Sequence, residues 1–170
     1  MAHRFDHTIL REYDIRGVVG KTLGADDAHA VGRSFATLLR RAGGLRLAVG
    51  FDGRLSSPML EAALVAGVRA SGVDVVRIGL GPTPMLYYAE ASAQDVDGGI
   101  QVTGSHNPAD HNGFKLVMQG NAFFGPDIAA LGRMAEAGDW LDGAGACEDR
   151  DVLPAYVDRL LLGLAGMDGA

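Results

Sequence analysis

Apolar side chains recur at helical spacing in several separate segments of the chain. Val31, Phe35 and Leu38 fall four and three residues apart, and two glycines follow, so the pattern predicts a helix over about 26–42. A similar stripe predicts another helix over about 127–137. These segments alternate with shorter apolar runs.

Two further helices are indicated by their first residues. Ser57 and Thr83 each stand directly before a proline, and an apolar stripe follows each pair. A polar capping residue with proline at the first helical position is typical of a helix start. We therefore predict that both side chains cap helices, the first of which runs to about residue 71.

Four short segments rich in β-branched and other apolar residues lie between these helices. They predict strands over about 45–49, 73–78, 98–102 and 114–118. Alternating strands and helices favour parallel pairing, because right-handed crossovers place helices on both faces of one sheet. The predicted class is α/β, with three layers in the order α/β/α and a mostly parallel, mixed sheet.

The last thirty residues have a different character. Residues 1–140 are expected to form one domain, and 141–148 are rich in Gly, Ala and acidic residues, as in a linker. Val152, Tyr156 and Leu160 then form one apolar stripe. We expect 141–170 to be a linker and the first helix of a further, missing domain, although that helix could instead dock on the sheet.

Composition and charge narrow the function classes. With 48% hydrophobic and 21% charged residues, the chain has the composition of a soluble globular domain. It has no apolar run of membrane-spanning length and no apolar start suited to a signal peptide, so we expect a cytoplasmic protein without membrane contact. The net charge of −6 argues against nonspecific nucleic-acid binding, and one cysteine, Cys147, excludes an internal disulfide.

Several partial motifs do not qualify. The Gly20-Lys21-Thr22 string lacks the upstream glycine and strand of a phosphate-binding P-loop. The glycines at 79 and 81 begin a dinucleotide-binding fingerprint, but Pro84 occupies its third glycine position. Asp95 and Asp97 could bind a metal ion, but we interpret them as solvated turn residues. A serine-hydrolase site is disfavoured, because the side chains of neighbouring residues such as Ser105 and His106 diverge in extended backbone.

The chemistry concentrates in the loop after the third predicted strand. Residues 103–108 read Thr-Gly-Ser-His-Asn-Pro, and 112–115 read Asn-Gly-Phe-Lys. Gly104 has no Cβ and would let the backbone approach a ligand, while Ser105 would project at the apex. The carboxyl ends of strands are where α/β proteins bind ligands. These residues favour the hypothesis that Ser105 is phosphorylated, and that backbone N–H groups and a cation such as Lys115 hold the phosphate.

The loop resembles the phosphoserine loop of the α-D-phosphohexomutases. Further matches are Tyr-Asp-Ile-Arg-Gly at 13–17, Gly-Phe-Asp-Gly-Arg at 50–54 and Gly-Pro-Thr-Pro at 81–84, so the resemblance spans nearly the whole chain. The first of these strings, with the threonine ahead of Gly-Ser-His, looks like the bacterial phosphomannomutase/phosphoglucomutase branch. That branch implies glucose and mannose phosphates as substrates.

The resemblance also implies a mechanism. Phosphorylated Ser105 would donate its phosphoryl group to a hexose 1- or 6-phosphate, and the resulting bisphosphate would turn over and return the other phosphate. Arg16 and Lys115 would stabilise the moving phosphoryl group, and Mg²⁺ would bind an oxygen of the phosphate on Ser105. His106 would be an acid, a base or a loop-organising donor. Glucose 1,6-bisphosphate is the implied activator, and Tyr13 and Asn107 are expected to position groups.

The chain also departs from the family. Members have four domains, and this chain resembles the first of them and the opening of the second. The Asp-Gly-Asp-Gly-Asp-Arg metal loop and the later sugar-binding segments have no counterpart here, so the missing domains are the expected partners and the fragment alone is expected to be nearly inactive. A binding module that holds a phosphate or a partner domain without turnover is the alternative, and a serine hydrolase is a third candidate.

Overall fold

The computed structural model describes residues 2–164, which form a mixed sheet covered by helices. Its strands are β1 (Ile15–Val18), β2 (Arg46–Phe51), β3 (Asp74–Leu80), β4 (Gly98–Val102), β5 (His111–Met118), β6 (Asn121–Ala122) and β7 (Cys147–Asp149). Its helices are α1 (Ala25–Arg41), α2 (Ser57–Ala70), α3 (Thr83–Ser92), α4 (Pro126–Ala137) and α5 (Leu153–Leu164).

The strand order is β1-β5-β4-β2-β3-β7, with β6 paired to β5. Strands β4, β2, β3 and β7 pair in parallel, whereas β5 is antiparallel to β1, β4 and β6. The predicted α/β class and mixed sheet are confirmed. The four predicted strands are present, two of them extended by two residues at the carboxyl end, and β1, β6 and β7 were not predicted.

Alternate residues of the central strands point to opposite faces of the sheet and bury two apolar clusters. Leu47 and Val49 of β2 belong to the larger cluster, which contains side chains of α1, α2 and α4. Ala48 between them belongs to a smaller cluster with Leu86 and other side chains of α3. This alternation produces the predicted three layers, because each face of the sheet needs its own helical cover.

The predicted serine and threonine caps are wrong by one position. Helix α2 begins at Ser57, with Ser56 at the N-cap, and α3 begins at Thr83, with Pro82 at the N-cap. Neither N-cap residue makes a side-chain capping hydrogen bond. The Ser57 hydroxyl instead donates to Asp52 at 2.6 Å, because that carboxylate is a stronger acceptor within reach. The predicted capping side chain thus bonds to the loop that follows β2.

Part of the predicted linker belongs to the sheet. Residues 147–149 form β7, which extends the sheet beside β3, and the Gly145 N–H donates to the Arg69 carbonyl at 2.9 Å. A Cβ on Gly145 would lie 1.9 Å from the Val73 carbonyl oxygen, so its glycine reflects close packing rather than a free linker. The division of the chain at 140 stays a prediction.

Helix α5 is the least covered of the described helices. It has no buried residue, although Tyr156 and the preceding Val152 pack against the smaller apolar cluster. The expectation that this helix opens a further domain stays a prediction, and its final part, residues 165–170, lies outside the described residues. No helix within 2–164 is long and apolar enough to span a bilayer.

Two glycines set the distance between α1 and α2. A Cβ on Gly32 would lie 2.3 Å from the Leu64 carbonyl oxygen, and a Cβ on Gly67 would lie 2.1 Å from the His29 carbonyl oxygen. Each glycine therefore faces the backbone of the other helix, where no side chain can move aside. The two helices cross at this distance only because both Cβ atoms are missing.

We predict that Gly67→Ala lowers the free energy of unfolding by about 1–3 kcal/mol, because the helices must separate. Helix propensity alone would favour alanine. Gly163→Ala in α5 is the matched control, since nothing lies within 4 Å of a Cβ placed there. Urea denaturation followed by Trp140 fluorescence measures both variants, and an unchanged stability of Gly67→Ala would contradict the packing argument.

Candidate functional site

Ser105 is presented by the loop that leaves the carboxyl end of β4. The residue is exposed and its φ is 54°, in the left-handed region that few serines adopt. The Ser105 N–H donates to the Thr103 hydroxyl at 2.8 Å, and the Asn107 N–H donates to the Gly104 carbonyl at 3.0 Å. These hydrogen bonds close a tight turn that directs the serine outward, as the sequence predicted.

The turn is held by one arginine from the loop after β2, the strand that neighbours β4 in the sheet. Arg54 follows β2, and its Nη1 donates to the carbonyls of Pro108 at 2.6 Å and His111 at 2.9 Å. Its Nη2 donates to the carbonyls of Ser105 at 3.1 Å and Asn107 at 2.6 Å. A single guanidinium therefore satisfies four loop carbonyls, and its planar set of donors fixes their relative positions.

Gly104 is required by this arginine. A Cβ on Gly104 would lie 2.2 Å from both Cζ and Nε of Arg54. The sequence-based interpretation, in which the missing Cβ admits a ligand, is therefore wrong. The space belongs to the guanidinium, because the loop backbone folds directly over it.

Asp52 is the second centre of the loop. It accepts hydrogen bonds from the Ser57 hydroxyl at 2.6 Å, the Thr103 hydroxyl at 2.9 Å, and the N–H groups of Arg54 and Gly104 at 3.1 Å each. Burial raises the pKa of the Asp52 carboxyl, but the four donated hydrogen bonds outweigh it and hold the pKa below 3.8. The group is a carboxylate at neutral pH.

Asn112 ties the loop to the start of α2. It is fully buried, and its Nδ2 donates to the hydroxyls of Ser56 and Ser57 at 2.9 Å each. Its Oδ1 accepts from the Gly113 N–H at 2.8 Å. The Asn-Gly string that follows the loop thus anchors β5 to the helix that begins beside Asp52.

His106 lies beside the serine. Its Nδ1 is 3.3 Å from the Ser105 Oγ, so the expectation that these side chains diverge is wrong. The reason is the left-handed turn at Ser105, which is not extended backbone. Asn107 is half-buried, and its Nδ2 donates to the Gly104 carbonyl at 3.2 Å. Asn107 therefore organises the loop from within.

Arg16 and Lys115 come together on neighbouring strands. Both side chains face Asp14: Arg16 Nη2 donates to its Oδ2, and Lys115 Nζ lies 3.8 Å from the same oxygen. Arg16 pairs with Gly113, whose carbonyl accepts from the Thr103 N–H at 2.9 Å. Two strand spacings place the Arg16 Cα about 10 Å from Thr103.

Tyr13 stands apart from the buried parts of the site. Its side chain is 75% exposed and stacks on Phe124, with ring centroids 6.3 Å apart. An open cavity of about 560 Å³ lies beside Ser105. It is lined by Asp52, Gly53, Arg54, Leu55, Ser105, Asn107 and Ala109. Tyr13, Arg16 and Lys115 do not line it.

Sequence reasoning missed the residues that hold the loop in place. Asp52 and Arg54 lie in the Gly-Phe-Asp-Gly-Arg string, yet neither was assigned a role. The available signal was position, because this string follows a buried strand and so ends at the same sheet edge as the serine loop. Asn112 belongs to the Asn-Gly-Phe-Lys motif, which by itself does not reveal its contacts with Ser56 and Ser57.

Comparisons with known proteins agree with this architecture. The family model described as "Phosphoglucomutase/phosphomannomutase, alpha/beta/alpha domain I" matches residues 7–140. A phosphomannomutase/phosphoglucomutase of Pseudomonas aeruginosa is 43% identical over 153 residues, which is 90% of this chain and 33% of the relative. A phosphoglucomutase of Neisseria gonorrhoeae is 39% identical over 155 residues, covering 90% of this chain and 34% of the relative.

A solved structure has the same fold. It is a phosphoglucomutase/phosphomannomutase family protein from Burkholderia thailandensis, with a TM-score of 0.89 and 44% identity, over 92% of this chain and 36% of that one. The chain therefore spans about a third of the length of the relatives it matches.

We predict that Arg54→Gln loosens the loop, because a neutral amide cannot satisfy four carbonyls. The free energy of unfolding should fall by roughly 2–4 kcal/mol. The amides of Asn107 and His111 should exchange with solvent at least about tenfold faster, while those of β2 stay protected. Arg41→Gln, which removes an exposed arginine paired with Asp139, is the control and should change little. Unaltered exchange in Arg54→Gln would contradict this assignment.

We predict that the contribution of Asp52 depends on pH. Because its folded-state pKa is lowered, the stability it contributes is complete above about pH 4 and is lost as the pH falls through the folded-state value. Asp52→Asn should lower the free energy of unfolding by about 1–3 kcal/mol near pH 7. Urea denaturation from pH 7 to pH 3 should show this difference shrinking in acid, and a constant difference would refute the charge argument.

Proposed function

The chain belongs to the phosphoglucomutase/phosphomannomutase family, and from that premise we propose that it is the phosphoserine-bearing domain of a phosphomannomutase/phosphoglucomutase. The observation that carries this proposal is the exposed Ser105, which the partly buried Arg54 guanidinium and Asp52 carboxylate hold at the edge of the sheet. The reaction interconverts hexose 1-phosphate and hexose 6-phosphate through a bisphosphate.

Ser105 exchanges one phosphoryl group with the sugar. The bond between phosphorus and the serine Oγ breaks, and a bond to a sugar hydroxyl oxygen forms. The turned bisphosphate returns its other phosphoryl group to the same Oγ, so the serine is regenerated in its phosphorylated form. Such transfer depends mainly on alignment and on neutralisation of charge. The fixed backbone of the loop supplies the alignment.

The remaining residues supply protons and charge. His106, 3.3 Å from the serine oxygen, exchanges a proton with it as the phosphoryl group leaves or returns. Arg16 and Lys115 neutralise the phosphoryl oxygens. Lys115 lies on β5, which directly follows the serine loop, and Arg16 lies on β1, which pairs with β5. Asn107 maintains the loop, and the exposed ring of Tyr13 contacts the sugar phosphate. The cavity of about 560 Å³ beside Ser105 has the size typical of small-molecule sites.

The magnesium ion implied by the family finds few ligands here. Within residues 2–164 there is no group of three or more His, Cys, Asp or Glu side chains arranged to hold a metal ion. This chain would contribute one oxygen of the phosphate on Ser105, and the other ligands would come from outside it. Bound there, Mg²⁺ would supply charge neutralisation at that phosphate. Glucose 1,6-bisphosphate is the activator that would phosphorylate the serine.

A binding module without turnover is the second candidate. Both candidates accept a phosphate at the loop, but only the mutase forms a covalent phosphoserine. A serine hydrolase is not supported, because within the described residues no third side chain hydrogen-bonds to His106 in the manner of a triad.

We predict that Ser105 becomes phosphorylated when the chain is incubated with glucose 1,6-bisphosphate, Mg²⁺ and the remaining two-thirds of the P. aeruginosa relative. Intact mass and peptide mapping should find one added phosphoryl group on Ser105. Ser105→Ala should show none, while Ser92→Ala, at an exposed serine of α3, should be labelled normally. Labelling that persists in Ser105→Ala would exclude the proposed role.

The 170-residue chain alone should convert glucose 1-phosphate to glucose 6-phosphate at a negligible rate, because the domains that bind the sugar in four-domain members are not part of it. A coupled assay for glucose 6-phosphate measures this. Turnover by the isolated chain at about 1–1,000 per second, the range of ordinary enzymes, would refute the fragment interpretation.

A further inference from the structure

Asp14 occupies a position that the proposed reaction does not explain. Its carboxylate is 13% exposed and lies just ahead of β1, where the β1–β5 register of Ile15 with Phe114 brings it beside Lys115. The same oxygen, Oδ2, accepts from Arg16 and lies 3.8 Å from the Lys115 ammonium. One carboxylate therefore faces two cations from two strands.

Arg16 has unused hydrogen-bonding capacity. Its side chain is 8% exposed, and its Nε is buried without a hydrogen-bond partner within the described residues. A buried N–H that lacks an acceptor costs about 1–3 kcal/mol. A guanidinium that combines open donors with this degree of burial is suited to an incoming oxyanion, which would supply the missing acceptor. Asp14 satisfies only one side of the group.

We propose that Asp14 is the resident counter-ion of this pair, a positioning residue that holds Arg16 and Lys115 while no phosphate is bound and that yields them to a phosphoryl group. The inference rests on the proposed function in identifying the oxyanion as a phosphoryl group. Two cations and one carboxylate leave a net charge of +1 for the ligand. Asp14 thus aligns the cations and also limits the affinity of the site for a resting phosphate.

This limit has a catalytic consequence. Binding that is equally strong for the resting phosphate and the transition state does not raise the turnover rate. A competing carboxylate weakens the hold on the resting phosphate while the cations stay aligned. Removal of the carboxylate charge is therefore expected to tighten phosphate binding, which is the opposite of what loss of a purely structural residue would do.

The test is a titration of this chain with inorganic phosphate, followed by NMR at the Arg16 Nε–H. In Asp14→Asn the amide oxygen still accepts from Arg16, but the negative charge is gone. We expect phosphate to bind about tenfold more tightly than to the unmodified chain. Asp142→Asn is the matched control, since it removes the same charge from a residue that is 90% exposed, and it should leave the affinity unchanged.

A second measurement needs no substitution. The carboxyl ¹³C resonance of Asp14 in the unmodified chain should shift along the same binding curve as the Arg16 Nε–H, because the cations leave the carboxylate as phosphate arrives. This measurement decides the matter if Asp14→Asn fails to fold. It is independent of Ser105 modification, so failure of the mutase proposal and failure of the counter-ion proposal are distinguishable.

Three results would overturn the inference. Weaker or unchanged phosphate binding in Asp14→Asn would give Asp14 a purely structural role. An Asp14 resonance that stays still while Arg16 responds would show that the carboxylate does not exchange partners. No response of Arg16 up to about 50 mM phosphate in either protein would mean that the open donors do not form an anion site.

Discussion

The site depends on the hydrogen bonds that the Arg54 guanidinium donates to four carbonyls in and beside the serine loop. Without these hydrogen bonds, the four carbonyls would lack donors in a turn that is partly shielded from water. The left-handed backbone conformation of Ser105 would then lose the contacts that stabilise it. Asp52 has the complementary role, because its carboxylate accepts hydrogen bonds from two hydroxyls and two backbone N–H groups in and beside the loop. A cation for the acceptors and an anion for the donors together define one loop conformation.

The sheet places this pair where it is needed. Asp52 and Arg54 follow β2, the serine loop follows β4, and these strands are parallel neighbours, so both segments leave the sheet at the same edge. Helix α2 begins beside them because Ser57 hydrogen-bonds to Asp52 instead of capping the helix. The close crossing of α1 and α2 at Gly32 and Gly67 keeps that helix against the sheet. The packing of the domain and the conformation of the loop are therefore linked.

The antiparallel strands β1 and β5 carry a second group of charged side chains. The pairing of β1 with β5 brings Arg16 and Lys115 together, and Asp14 joins them into one cluster. This cluster lies near the carboxyl end of β4, where the serine loop begins. Here the fold tolerates a buried guanidinium with open donors, whereas the guanidinium of Arg54 has its terminal nitrogens fully engaged. The contrast separates an arginine whose donors build the loop from one that keeps a donor without a partner.

The sequence by itself determined the α/β class, the four central strands, the five helices of the described residues and the loop that presents Ser105. These features are encoded locally, in apolar periodicity, glycines and a short string of residues. Only the tertiary structure decided that Arg54 fills the space under Gly104, that His106 approaches the serine oxygen, and that residues 147 and 148 of the predicted linker belong to a strand of the sheet. The physical reason is distance along the chain: Arg54 and Ser105 are separated by fifty residues, and no periodic pattern reports which polar groups a fold will bring together.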